Sequence, residues 1–494
     1  MVERESSEEP ETAKGRRDAG MTRKGDRYLP VTVLVICLLA YTLLCLYNLH
    51  GRLIEVNSSG DEPHYLLLAE SILEDGDISL ENNYASGSYR EKGYYQSGTL
   101  QTHWTKGRGG RLVPWHPVFL SLLILPGFAL GGFRGAGMTM VLFTGFSAML
   151  TFLIMRRFTG RYLALALTLF FFLTYPLITY SRMVYPEVVV MFLLTLGTWA
   201  LLRLGEGGGP LYAVVGGLSA GILPLMHAKF VVFSLTLLLL FYLTKRRNRD
   251  WAFFLVPFGA FIVVLLAWTA YLFGPDIIHG LTVTSGSRGL IQKFSAWRIS
   301  GLYLDRTWGL MPYAPLYLAM FAGLPLPEKR GLTRSRWVFI PVTFAAYTLV
   351  VGSFWEWHGG TAPAPRYLVP LLPLMALCCG LAAAGARRAV VRALLAALAL
   401  FQLVLTVFAL VYPLGTYAIP AHENNLLYHR FLGDNPISAT LERLFPLLHP
   451  VRTWSIGVLA LWIVFICAMV YARRWYLEKT PGEVLGSGSA PPVT

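Results

Sequence analysis

Charge is scarce in this chain. Asp, Glu, Lys and Arg make up 14% of its 494 residues, where a soluble globular domain carries roughly a quarter. Hydrophobic residues reach 55% and the mean hydropathy is +0.52, which excludes an ordinary soluble enzyme. Cysteine is also sparse. Cys37, Cys45, Cys378, Cys379 and Cys467 all fall inside apolar runs, so neither a disulfide framework nor a CxxC metal site is implied. The common catalytic signatures are missing: no Walker loop, no GxGxxG between a strand and a helix, no HExxH and no GxSxG. The net charge is +14, yet no basic face interleaved with aromatics stands out, which argues against nucleic acid as a partner.

What the chain does have is a series of apolar runs long enough to cross a bilayer. They lie at 31–49, 137–155, 162–180, 188–202, 211–226, 230–243, 251–273, 312–324, 337–354, 367–384, 389–411 and 454–471. The expected fold class is an all-α polytopic membrane protein with about 12 transmembrane helices. Its membrane domain covers 30–473, and polar tails at 1–29 and 474–494 read as disordered and cytoplasmic. Basic residues recur in alternate loops: Arg156, Arg157 and Arg161; Arg203; Lys245, Arg246, Arg247 and Arg249; Lys329, Arg330, Arg334 and Arg336; Arg387 and Arg388; Arg473 and Arg474. This places both termini inside and the long loops 50–136, 274–310 and 412–452 outside. The segment 115–132 is apolar enough to cross, but crossing would reverse every later loop. It is expected as a helix in the outer interface, inside the first outer loop with its juxtamembrane helices.

The outer side collects the chemistry. All 10 histidines fall there. Asp61 and Glu62 stand next to Pro63 and His64 soon after the first run, and carboxylates at a membrane surface are costly and reactive. One can take a proton from an attacking hydroxyl or steady a cation. The competing reading is a helix start, with Asp61 as N-cap and Glu62 and Pro63 in the first turn. Residues 61–74 then read as an amphipathic helix resting on the membrane, followed by a polar, Gly- and Tyr-rich stretch over 82–110. Three short outer loops carry a solitary cation: Arg182, Lys229 and Arg366. Each alone can be a snorkelling anchor, but together on one face with paired acids they suit an anionic phosphate. Asp276, Asp434 and Glu442 read as solvated loop charges, and Asn57-Ser58-Ser59 fits a glycosylation sequon.

These residues resemble the GT-C superfamily of integral-membrane glycosyltransferases, nearest the branch of protein O-mannosyltransferases and the undecaprenyl-phosphate aminoarabinose transferase. Asp61-Glu62 after the first span matches the family's acidic pair, and Tyr185-Pro186-Glu187 its second acidic position, with Glu in place of Asp. His116-Pro117 stands where that transferase has Lys-Pro, and Lys229 matches a family lysine. The segments Leu304 to Pro312 and Trp357 to Leu368 are similar to bacterial members of unassigned substrate. The resemblance implies an inverting transfer of a sugar from a polyprenyl phosphate to a lipid, glycan or protein hydroxyl on the extracytoplasmic face of the plasma membrane. Asp61 is then the general base, with Glu187 and Glu62 orienting the acceptor or a cation. His116, Lys229, Arg366 and Arg182 neutralise the departing phosphate, and His64, Tyr65, Asp305, Trp357 and His358 line the substrate. No cofactor is required, with room for a divalent cation (Mg or Mn). A transporter or flippase is the main alternative, but it would bury ionisable groups at mid-membrane and show repeats, and neither is evident. A non-catalytic scaffold of the same ancestry is the other.

Overall fold

The structure is a computed structural model that describes residues 27–46, 60–95, 98–283, 295–325, 334–416, 425–433, 435–448 and 451–479. Most of both tails, the sequon at 57–59, and His50, Arg288, Lys293, Lys329, Arg330, His422, Glu423, Asp434 and His449 lie outside the described residues. The protein is an all-α, polytopic bundle as expected. Among the described residues, seven helices are long and apolar enough to cross a membrane: α1 (Leu29–Leu46), α3 (Val118–Thr159), α5 (Pro186–Gly205), α8 (Asp250–Phe273), the segment Arg366–Ala384 that contains α11 (Leu372–Ala384), α12 (Ala389–Val411) and α13 (Thr453–Lys479). Shorter apolar helices are α4 (Arg161–Phe172), α6 (Leu211–Met226), α7 (Val231–Thr244) and α10 (Phe339–Gly352). Two further helices, α2 (Glu62–Glu70) and α9 (Ala296–Leu304), lie in the loops.

The long helices are apolar on every side, which suits a bundle with lipid at its back. In α1 a stripe at spacing four, Val33, Cys37, Tyr41 and Cys45, is buried, while Val35, Leu39 and Leu43 face outward. α6 packs closely between α5 and α8; a Cβ added to Gly217 would run into the Phe254 carbonyl.

Several expectations are corrected. The run 312–324 is not one helix. Proline at 312 and 315 leaves a 3-10 turn, Pro315–Leu318, and a short helix, Ala319–Gly323, buried against α11. The span 162–180 breaks after Phe172 and resumes only as Leu177–Tyr180. α13 runs on to Lys479, past the expected start of the tail at 474. Residues 61–74 do not form a helix with one wet face. All of Glu62–Glu70 is buried, because α3 and neighbouring loops cover both sides, and a wide turn at Ser71–Asp75 follows. The stretch 82–110 ends in a hairpin, in which β1 (Trp104–Lys106) pairs antiparallel with β2 (Leu112–Pro114) just beyond it. Glu442 is buried rather than solvated.

The segment 115–132 forms the first arm of α3. The chain reverses at Gly131 and Gly132, where φ of Gly132 is +55° and a side chain would be strained. The arm from Val118 rises only about 20 Å before this turn, short of a bilayer core of about 30 Å. It folds back so tightly that Gly127 and Gly135 touch backbone to backbone.

Candidate active site

Four side chains from distant parts of the chain meet at helix ends. Asp61 is the N-cap residue of α2, but its side chain makes no capping bond. Instead Oδ2 accepts from Arg366 Nη2 at 2.5 Å. Glu187 sits in the first turn of α5 behind Pro186, where proline fits a helix start and an acid meets the positive helix end. Its Oε1 accepts from Lys229 Nζ at 2.8 Å and lies 3.3 Å from Arg366 Nε. Lys229 is held in a 3-10 turn, Ala228–Phe230, between α6 and α7, its amide donating to His227 Nδ1 at 3.1 Å. Arg366 begins the segment leading into α11. The preceding loop is fastened by the hydroxyls of Tyr175 and Tyr180, which donate to the carbonyls of Ala364 and Pro363.

Burial separates the four. Glu187, Lys229 and Arg366 side chains are 0%, 2% and 6% exposed, and Asp61 is 26% exposed, so Asp61 is the member a solute can reach. Aromatic walls hold the cations: Arg366 lies over Tyr185 at 4.4 Å and Lys229 over Tyr367 at 4.1 Å. Two acids and two bases balance in charge, yet the wiring is incomplete. Glu187 Oε2 and Arg366 Nε are buried without a hydrogen-bond partner among the described residues. Burial pushes the Asp61 carboxyl up, but Arg366, His116 and His64 outweigh it and hold it well below the usual carboxylate range. Burial also draws the Lys229 ammonium down to about 8, against the opposing pull of Glu187.

The other expected residues are placed as follows. Glu62 is buried beside Asp61, and its Oε1 accepts from the Val184 amide at 2.7 Å, tying α2 to the loop before α5. His64, Tyr65 and His116 stand next to Asp61, the His64 and His116 rings 5.1 Å apart and Tyr65 and His116 4.9 Å apart. Burial lowers the His116 imidazole to about 4, against the opposing pull of Asp61. Arg182 lies beside Cys45 and Gly137. Trp357 and His358 pack on Trp308, at 6.3 and 5.0 Å between ring centroids, and Gly359 backs onto the Arg366 side chain. Asp305 is fully buried, with one oxygen accepting from Thr307 and Trp308 amides at 2.8 and 3.0 Å and the other from Leu448 at 2.7 Å.

Sequence reasoning missed Tyr185 and Tyr367 as walls for the cations, and His103. The last had a signal: the glycine-rich turn Gly107 to Gly110 brings His103 back across from Trp115, next to His116, and the Trp115 amide donates to the His103 carbonyl at 3.0 Å.

No family model matches the chain, and no curated protein matches it. Two solved structures are similar over 91% of it. One is ArnT from Cupriavidus metallidurans bound to undecaprenyl phosphate, at 14% identity, 77% of that chain and TM-score 0.45. The other is the same protein in the apo state, at 15% identity, 76% of that chain and TM-score 0.48. A likeness at this level assigns neither substrate nor reaction.

Proposed function

We propose that the protein is a GT-C-type glycosyltransferase that moves a sugar, with inversion, from a polyprenyl phosphate to an acceptor hydroxyl at the extracytoplasmic end of the bundle. One observation carries the reading: Asp61, Glu187, Lys229 and Arg366 converge in one largely buried cluster of ion pairs, in which Glu187 Oε2 takes no hydrogen bond. Buried charges are expensive and give weak evidence of stability. Perturbed ionisable groups gathered at one site are a stronger sign of chemistry.

The pocket suits a partner exchange. A donor phosphate competes with the two carboxylates for Arg366 and Lys229, the arginine offering a planar fork and the lysine a point charge. Once Arg366 turns to the phosphate, Asp61 loses the cation that depresses its basicity and becomes a better proton acceptor. The acceptor enters on the Asp61 side and gives its proton to Asp61 as its oxygen attacks the anomeric carbon. That carbon's bond to the phosphate oxygen breaks, and the phosphate leaves with its charge held by the two cations. Glu187 Oε2 is available to take a hydrogen bond from the acceptor or sugar.

The decisive experiment compares envelope glycolipids and glycans from cells with and without the protein by mass spectrometry, then assays the purified chain with the matching polyprenyl-phosphate sugar. A missing sugar restored by wild type but not by Asp61→Asn supports the reading. An unchanged profile, with no transfer in vitro, overturns it. Orientation is checked by a single cysteine at Gly107, which should be labelled from outside intact cells.

A further inference from the structure

Beside the acidic pocket lie three histidines that the proposed transfer leaves without a necessary task. His64 is in the first turn of α2, His103 immediately precedes β1, and His116 follows β2. The hairpin sets His103 opposite Trp115, the residue before His116, the two imidazoles meet just beyond the paired strands, and α2 brings His64 against them. One nitrogen from each ring can be chosen so that all three lie within 4.8 Å of one another. We propose that His64, His103 and His116 form a three-histidine site for a transition-metal ion of the zinc class, with a coordination position left open.

Three features of the geometry support this. His103 Nδ1 and His116 Nε2 are 2.9 Å apart. Two imidazole nitrogens at that distance need a single proton between their lone pairs, and a metal ion can replace such a proton. A tetrahedral ion with bonds of about 2.0–2.1 Å wants its nitrogens roughly 3.3 Å apart, so this pair opens slightly while His64 closes in. Second, the site has an orienting partner. The Tyr84 hydroxyl lies 2.7 Å from His64 Nδ1 and accepts from the His103 amide at 3.3 Å. A metal-bound histidine commonly has its other nitrogen fixed in this way. With Tyr84 accepting from Nδ1–H, His64 Nε2 keeps its lone pair for the ion. Third, Asp61 interacts with all three rings, so a carboxylate stands near to balance an added cation.

The His64 and His103 rings are stacked at 3.9 Å and 22°. Their nitrogens run side by side rather than converging, so binding turns at least one ring about χ2, a broad torsion for histidine. The donor set also selects the ion. Imidazole nitrogen suits zinc, cobalt, nickel or copper, whereas Mg and Mn prefer oxygen. The site thus calls for a softer ion than the Mg or Mn for which the sequence left room.

The test uses the full chain in detergent, without a histidine tag, stripped with chelator and titrated with Co²⁺ and Zn²⁺. The readouts are calorimetry, the Co²⁺ visible spectrum and metal content after desalting. One ion per chain is expected. His103→Ala and His116→Ala should each weaken it by about 100-fold, and Tyr84→Phe by about tenfold. His358→Ala, on a histidine packed against Trp308, should leave it unchanged. X-ray absorption of the wild-type protein loaded with Zn²⁺ keeps the test open if a variant fails to fold, and should report three nitrogen neighbours at about 2.0–2.1 Å. An oxygen-only shell, equal binding of Mg²⁺, or the same affinity in the His103→Ala and wild-type proteins overturns the site. Since the readout is binding, its failure leaves the transferase reading untouched.

Discussion

Asp61 and Asp305 are both aspartates near an arginine, but their carboxylates meet different partners. Asp305 is saturated by three backbone amides, and its neighbour Glu442 accepts from the Asn425 amide at 2.8 Å with His429 at 2.9 Å and Arg306 at 3.6 Å. Amides cannot leave without unfolding the local chain, so these acids act as clasps between 305–308, 425 and 448. Asp61 and Glu187 face cations on long, rotatable stems instead, with one oxygen of Glu187 unmet. Such a cluster can trade partners without backbone movement. The kind of donor, more than the depth of burial, separates a fastening from a reaction site.

The sharpest way to break this comparison is to neutralise each aspartate. Asp61→Asn should cut transfer by about 10²–10⁴-fold, the usual worth of a general base, with thermal stability near wild type. A mutant that keeps turnover would make Asp61 another clasp. Next in size, Lys229→Met and Arg366→Gln should each weaken donor binding by about tenfold to a hundredfold, the worth of a charged hydrogen bond. Acceptor affinity should change little, as measured by equilibrium binding of each substrate. Asp305→Asn should do the opposite. Its amide group meets the Leu448 N–H donor to donor, costing about 1–3 kcal/mol of stability, while turnover per folded molecule stays constant.

The smallest effect comes from pH. Lys229 is lowered to about 8 by burial, so its positive charge is present below that value and is lost as pH rises through it. Donor affinity should therefore fall above about pH 8, by up to about tenfold, and Lys229→Arg should flatten the profile. A flat wild-type profile would mean that Lys229 does not meet the phosphate.

Helix placement was largely legible in the sequence. The run at 389–411 coincides with α12 because no proline or glycine interrupts the apolar signal, and 211–226 coincides with α6 although it holds Pro224 and three glycines. It failed at 312–324, where Pro312 and Pro315 break a run whose hydropathy alone suggests a span, and at α2, whose total burial depends on chain far away. The hairpin strands are three residues each, too short for alternation to register. The central four residues could be found because a charge at the end of an apolar run is conspicuous. Tyr185 and Tyr367 could not, since tyrosine is common here and only the folded chain shows which rings lie under a cation.

The contact between Gly127 and Gly135 makes the short arm of α3 a strut. Pro117 heads that arm, directly behind His116, while Gly127 sits near its far end. A methyl group added at either glycine has nowhere to go and would wedge the arms apart. The displacement would be carried along a stiff helix to the imidazole at the opposite end. Alanine at 127 or 135 thus offers a remote handle on the geometry around Asp61, one that changes no group able to touch a substrate.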